Sequence, residues 1–124
     1  SEAMLDGLAA KGIPFAILSN KPDDFVKMCV GQCLPGRGFA AIRGVVEGVP
    51  KKPDPAGALA IARALGLDPA RCLFLGDTST DMRTAAAAGM VPAGALWGFR
   101  DRAELETHGA RHLLGHPLDL LELL

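Results

Sequence analysis

Two aspartates four residues apart, Asp77 and Asp81, follow a short apolar run in Arg71-Cys72-Leu73-Phe74-Leu75-Gly76-Asp77-Thr78-Ser79-Thr80-Asp81. Carboxylates delivered by the carboxyl end of a strand to the start of a helix suit a hard, oxygen-seeking cation such as magnesium. The plainer reading makes Asp77 a turn former and Asp81 an anion in the first helical turn, where the macrodipole favours negative charge. Two other segments offer phosphate chemistry. Ser19-Asn20-Lys21 brings a hydroxyl, an amide and backbone N–H groups to a helix start, where ordinary turn and cap chemistry is the alternative. Lys51-Lys52-Pro53-Asp54-Pro55 places a cation just before a helix, with an exposed loop lysine pair as the alternative.

The elements that position these groups alternate along the chain. Met4, Leu5 and Leu8 give a helical pattern that stops at Gly12, and Pro14 to Leu18 reads as a buried strand. Pro22-Asp23-Asp24 starts a second helix, with Phe25, Met28 and Cys29 as its inward face and an end near Pro35-Gly36. Ala41 to Val46 reads as a weaker strand, interrupted by Gly44 and near an edge. Asp54 caps a helix beginning at Pro55 and ending at Gly66. The strand Cys72 to Leu75 leads to an alanine-rich helix, Met82 to Ala88, capped by Thr80 and stopped at Gly89. Ala87, Ala88 and Gly89 are small enough to let that helix lie close to a sheet. Val91 to Leu96 reads as a strand, followed by a helix near Asp101 to Thr107, a short strand at Arg111 to Leu114 and a final helix after Pro117. Repeated strand–helix alternation implies an α/β fold, with a mostly parallel sheet, helices on both faces and right-handed crossovers.

Composition narrows the class further. With 124 residues, 49% of them hydrophobic, the chain supports one core and at most one domain. A formal net charge of −1 gives no electrostatic footprint for nucleic acid or an acidic membrane surface. No apolar stretch reaches the length of a membrane span, and Ser1-Glu2-Ala3-Met4 opens straight into a helical pattern with no signal peptide. Cys29, Cys33 and Cys72 are odd in number and lie in apolar company, which fits buried structural thiols in a reducing cytoplasm.

The ordered set of polar segments resembles the haloacid dehalogenase superfamily, in its phosphoglycolate phosphatase-like branch. Leu18-Ser19-Asn20-Lys21-Pro22 looks like the second motif of that family, Lys52-Pro53-Asp54-Pro55 like the third, and Gly76-Asp77-Thr78-Ser79-Thr80-Asp81 like the fourth. The Ala-Ala-Gly helix ending and the closing Pro-Leu-Asp-Leu-Leu-Glu-Leu-Leu extend the likeness over nearly the whole chain. The resemblance implies a three-layer Rossmann-like core and a magnesium-dependent phosphatase acting on a small phosphorylated substrate. By it, Ser19 would hydrogen-bond the phosphoryl group, Asn20 would orient substrate, and Lys52 would balance charge on the nucleophile and phosphoryl oxygens. Asp77 would bind magnesium, and Asp81 would bind it directly or through water.

The family's first motif, Asp-x-Asp-x-Thr, is not in this sequence: Asp6-Gly7 precedes the second motif within a helix, and Asp23-Asp24 follows it. The resemblance therefore makes residues 1–124 a partial core, lacking the nucleophile, its central strand and a cap domain. On this reading the fragment alone is inactive, and the strands ending at Asn20 and Asp77 must pair with each other, with a second copy or with an amino-terminal segment. The other reading is a non-catalytic binding or regulatory module on the same fold.

Three weaker signals are set aside. Gly36-Arg37-Gly38-Phe39 imitates a dinucleotide fingerprint but precedes a strand instead of following one. His108, His112 and His116 recur every four residues, but Gly109, Gly115 and Pro117 break the helix that would align them on a metal. Trp97 and Phe99 are expected to close the core beside the last long strand rather than stack on a ligand.

Overall fold

A computed structural model describes residues 2–98 and 101–124. The elements are α1 (Glu2–Ala10), β1 (Ala16–Pro22), α2 (Asp23–Cys33), β2 (Ala41–Val45), α3 (Ala56–Leu65), β3 (Leu73–Gly76), α4 (Ser79–Ala88), β4 (Val91–Ala95), α5 (Arg102–Thr107) and β5 (His112–Leu114). Short 3-10 segments occupy Pro69–Arg71 and Pro117–Leu123. The closing segment that reads as a helix is thus 3-10 in kind, started by a capping box between His116 and Asp119.

Every strand pairing is parallel, as the alternating pattern implies. The sheet, however, is in two pieces: β1 pairs with β2, while β3, β4 and β5 form a second ladder. It lacks the central strand that would join β1 to β3. Exposure follows from this break. Four of the five β4 residues are buried, whereas all four residues of β3, as apolar in sequence, are only half-buried.

Two helical layers span the break. Side chains alternate along a strand, so Phe74 and Leu73/Leu75 point to opposite faces. Phe74 and Leu18 pack on a cluster of Ala58, Ala62, Ala85, Ala88 and Met90 from α3, α4 and the α4–β4 junction. Leu73, Leu75 and Phe15 pack on the other side against Leu5, Leu8, Leu114 and Leu120. The first cluster takes Leu18 from β1 and Phe74 from β3, and the second takes Phe15, just before β1, with Leu73 and Leu75 of β3, so the halves are held together without a hydrogen-bonded ladder between them. Small residues make the first cluster close: Ala85 of α4 is fully buried and Ala88 nearly so, while Ala87 and Gly89 of the expected small patch point outward.

Several local expectations are corrected. Thr78, not Thr80, caps α4; its hydroxyl oxygen accepts the Asp81 N–H at 3.2 Å, and Gly89 ends the helix in the left-handed conformation. Helix α3 starts one residue late, at Ala56, with Asp54 accepting the Ala56 N–H at 2.9 Å. On α2, Val26 is the buried residue, and Phe25 and Met28 are about half exposed. The reason is that Asp23 fixes the helix rotation, its carboxylate taking Lys27 Nζ at 2.7 Å and the Gly44 N–H of β2 at 2.9 Å. Trp97 is 42% exposed and does not close the core, and Phe99 lies outside the described residues. Cys33 is exposed and Cys29 and Cys72 half-buried, so none of the three thiols is a core residue.

The hydrogen bond from Lys27, with that from the Gly44 amide, holds the Asp23 carboxyl below the ordinary carboxylate range. A depressed folded-state value contributes stability above the unfolded-state value and loses it as pH falls through the folded one. An Asp23→Asn protein is therefore expected to lose less thermal stability on acidification than the unsubstituted chain, as paired melts across the acid range would report.

The weaker sequence signals resolve structurally. Arg37 of the glycine-rich loop pairs with Glu2 and Asp6 of α1, and Phe39 meets Phe15 edge to face. Among the described residues no group of three or more His, Cys, Asp or Glu side chains could hold a metal, which removes the histidine repeat as a candidate. Among the described residues no helix is long and apolar enough to cross a membrane.

Candidate active site

Three loops meet at the carboxyl ends of β1 and β3. The first clasp joins two of them: Asn20 Nδ2 donates to the Lys52 carbonyl at 3.0 Å, and the Lys52 N–H donates to Asn20 Oδ1 at 2.9 Å. These two bonds tie positions 32 residues apart and set where the Lys52 side chain starts. A cis peptide bond joins Lys52 to Pro53. Lys52 Nζ then reaches Asp81 Oδ1 at 2.7 Å and the Leu18 carbonyl at 3.5 Å. Both side chains of the pair are largely withdrawn from water, 12% and 10% exposed.

Asp81 is held from its other side as well. Its Oδ2 accepts the Asp77 N–H at 3.1 Å and the Thr78 hydroxyl at 3.0 Å. Both carboxylate oxygens thus have donors, and the charge is matched by Lys52. Asp77 differs. It is half-buried, and its carboxylate has no hydrogen-bond or ion-pair partner among the described residues. Ser19 Oγ accepts the Lys21 N–H at 3.1 Å, which leaves its own O–H proton available to another acceptor.

Among the described residues the site therefore combines one matched ion pair, one unmatched carboxylate and one hydroxyl with its proton uncommitted. The five residues expected from sequence converge: Asn20, Lys52 and Asp81 are linked directly, Asp77 through its backbone, and Ser19 by adjacency to Asn20. A narrow cleft bounded by Ser19, Asn20, Arg43, Lys51, Lys52 and Asp54 encloses only about 10 Å³, room for a water and too small for a phosphate.

Sequence reasoning missed two supporting residues. Thr78 is both the cap of α4 and a donor to Asp81. Gly76 leaves the space that Asp81 fills, since a Cβ built there would overlap the Asp81 Cβ and carboxyl carbon. The signal for Gly76 was its place at a strand end directly before the paired aspartates. Replacing Gly76 with Ala is expected to push Asp81 from Lys52 and to cost about 1–3 kcal/mol, the range for overpacking, measurable by urea unfolding.

Comparison with known proteins decides the family. A model for haloacid dehalogenase-like hydrolases matches residues 1–89, about 70% of the chain. This chain belongs to the haloacid dehalogenase-like hydrolase family. Within that family it is similar to phosphoglycolate phosphatases: 34% identical over 120 residues to that of Yersinia pseudotuberculosis, covering 97% of this chain and 52% of the relative. To that of Pectobacterium atrosepticum it is 32% identical over 117 residues, covering 94% and 50%. The chain thus spans about half the length of these curated relatives. Among solved structures, a protein provisionally named phosphoglycolate phosphatase from Lactobacillus delbrueckii subsp. bulgaricus superposes with a TM-score of 0.91 at 30% identity, covering 98% of this chain and 50% of that one. A haloacid dehalogenase-like family protein from Streptococcus pneumoniae shares the fold, with a TM-score of 0.89 at 21% identity, covering 98% and 57%. The Rossmann-like α/β core of the family is therefore the fold of this chain, with its sheet divided where the central strand is missing.

Proposed function

We propose that residues 1–124 are the carboxyl-terminal part of the core of a magnesium-dependent phosphatase. It would hydrolyse a small phosphomonoester, phosphoglycolate-like or a sugar phosphate, through an aspartyl-phosphate whose nucleophile lies outside this chain. The observation that carries this reading is the charge arrangement at the strand ends. Lys52 is matched by Asp81 at 2.7 Å, while the Asp77 carboxylate has no cationic partner among the described residues. A phosphate dianion would be repelled by that charge, and a cation beside Asp77 removes the conflict.

The donor set fits magnesium in part. Asp77 is a hard oxygen ligand with no competing partner among the described residues, suited to bind the ion directly, and Asp81, whose oxygens already accept three hydrogen bonds, is suited to bind it through water. Water, substrate oxygens and groups outside this chain would complete the octahedral shell that magnesium requires. When bound, the ion supplies positive charge against the phosphoryl oxygens.

The chain's own residues then have separate tasks. The Ser19 O–H donates to a phosphoryl oxygen, Lys52 places its ammonium beside the charge that builds during transfer, and Asn20 orients the substrate by fixing Lys52 through its two-bond clasp. The nucleophilic carboxylate, supplied from outside this chain, would attack phosphorus as the alcohol leaves with a proton from a general acid. Water would then cleave the acyl phosphate. Half-coverage of the relatives and the unpaired edges of β1 and β3 support a further segment completing the sheet.

The test is an assay of the protein from its complete reading frame against a panel of phosphomonoesters, with and without magnesium. Turnover that needs magnesium and falls by about 10²–10³ in kcat on Lys52→Met is expected, the cost of removing one charge-stabilising group. Metal-independent turnover, or none with any phosphomonoester, would contradict the reading and favour a binding module.

A further inference from the structure

Residues 90–124 lie beyond the family match, yet α5 reaches back to the turn that carries Asp77 and Asp81. Glu104 Oε2 accepts the Ser79 N–H at 3.0 Å, across 25 residues of sequence. Ser79 opens α4, so its N–H is one of the donors that a helix start leaves without an intrahelical partner. A carboxylate suits that position, because it accepts the hydrogen bond and sits at the positive end of the helix dipole. The neighbouring donors are served within the turn: the Asp77 N–H by Asp81 and the Asp81 N–H by Thr78. Ser79 alone of these three is held from another element.

Glu104 is itself firmly placed. Asp101 Oδ1 accepts the Glu104 N–H at 2.9 Å, and the next residue, Leu105, is fully buried against Gly94 of β4. The stretch after β4 also meets the turn at a second point, since a Cβ built on Gly98 would overlap the Asp77 side chain. The start and the middle of the Asp77–Asp81 turn are thereby braced by residues that follow β4.

The geometry points to Glu104 as a positioning residue: through the Ser79 N–H it fixes the turn that presents Asp77 and aims Asp81 at Lys52. It acts on the site through the Ser79 backbone N–H. Its effect on metal affinity rests on the reading of Asp77 as a magnesium ligand, while its hold on the turn does not.

The experiment compares Glu104→Ala, Glu104→Gln and Glu104→Asp with the unsubstituted protein by two readouts. One is amide hydrogen exchange at Ser79 and Asp81 by NMR, with β4 amides as the internal control. The other is magnesium titration followed by the fluorescence of Trp97, the single tryptophan, which adjoins Gly98. Gln keeps an acceptor oxygen at the same reach and is expected to stay within about threefold of the unsubstituted protein in both readouts. Ala removes the acceptor and Asp withdraws it by one methylene. Both are expected to speed Ser79 exchange and weaken magnesium binding by about tenfold, the low end for loss of an outer support, with β4 exchange unchanged. Ser79 exchange that is the same in all four proteins would overturn the proposal, as would a Gln variant as impaired as Ala. Accelerated exchange with unchanged magnesium affinity would reduce Glu104 to a helix cap and also overturn it. If the unsubstituted protein gives no magnesium response, the cation reading fails on its own, and Ser79 exchange with rescue by Gln still decides the role of Glu104.

Discussion

Residues 1–124 in isolation are expected to hydrolyse no phosphomonoester above the uncatalysed rate, with or without magnesium. On the proposed reading the chain holds the phosphate donors, the ammonium and a carboxylate for the cation, but not the attacking group. Residues that act as a catalytic unit fail together: loss of the nucleophile costs on the order of 10⁶ in kcat in a serine protease, about as much as losing the whole catalytic set. The carboxylates within the chain do not substitute. Asp81 is held by Lys52, Thr78 and the Asp77 N–H, and Asp23 by Lys27 and Gly44. Asp77 is proposed to hold the cation, and using it as nucleophile would remove that ligand. A steady-state assay of the purified segment beside the complete protein checks this. Magnesium-dependent turnover by the segment, abolished by Asp77→Asn, would overturn it.

The second large effect is expected at the Lys52–Asp81 pair, and there stability and activity should part. Asp81→Asn keeps an acceptor for the Asp77 N–H and the Thr78 hydroxyl but strands the Lys52 charge, whose other contact is the Leu18 carbonyl at 3.5 Å. Removing one partner of a pair this withdrawn from water is expected to cost about 3 kcal/mol. Lys52→Met should cost less, because two neutral donors still serve the Asp81 carboxylate. Combining the two should recover about 1–3 kcal/mol of the summed loss, the coupling expected of residues in direct contact. Urea unfolding of the four proteins measures that cycle. Simple additivity would mean that the pair is solvated and contributes little. In the complete protein, the double variant is expected to be well folded and nearly inactive, since the proposed reaction needs the Lys52 ammonium that it lacks.

Much of this was readable in the sequence, for identifiable reasons. The element order and types follow from apolar runs closed by glycine and from caps near charged residues, so β3, α4, β4 and α5 fall within a few residues of expectation. The convergence of the five candidate residues follows from polar clusters in the loops after strands, where an open α/β sheet places its ligand groups. What the sequence hid was rotational and long-range. Phe25 and Met28 share a helical face that looks inward by hydrophobicity, yet the bonds of Asp23 to Lys27 and Gly44 turn Val26 to the core instead. Trp97 looks like a core residue, but the strand ends at Ala95 and the side chain falls on the open side. The Asn20–Lys52 clasp and the reach of Glu104 to Ser79 join residues 32 and 25 positions apart, and no local pattern encodes either. The break between β1 and β3 was legible only through the absent first motif, and its mark in the structure is the half-exposure of all four β3 residues.

The central claim is that this chain supplies the phosphate and cation groups of a phosphatase while the nucleophile lies elsewhere. Its most direct test is to trap the covalent intermediate. The complete protein would be mixed with a phosphomonoester and magnesium, quenched in acid, digested and mapped by mass spectrometry for a phosphoryl group on aspartate. A phosphoaspartate in a peptide outside residues 1–124, still formed when water attack is slowed and lost on removal of magnesium, is the predicted result. A phosphoryl group on Asp77, Asp81 or any other carboxylate within this chain would contradict the account.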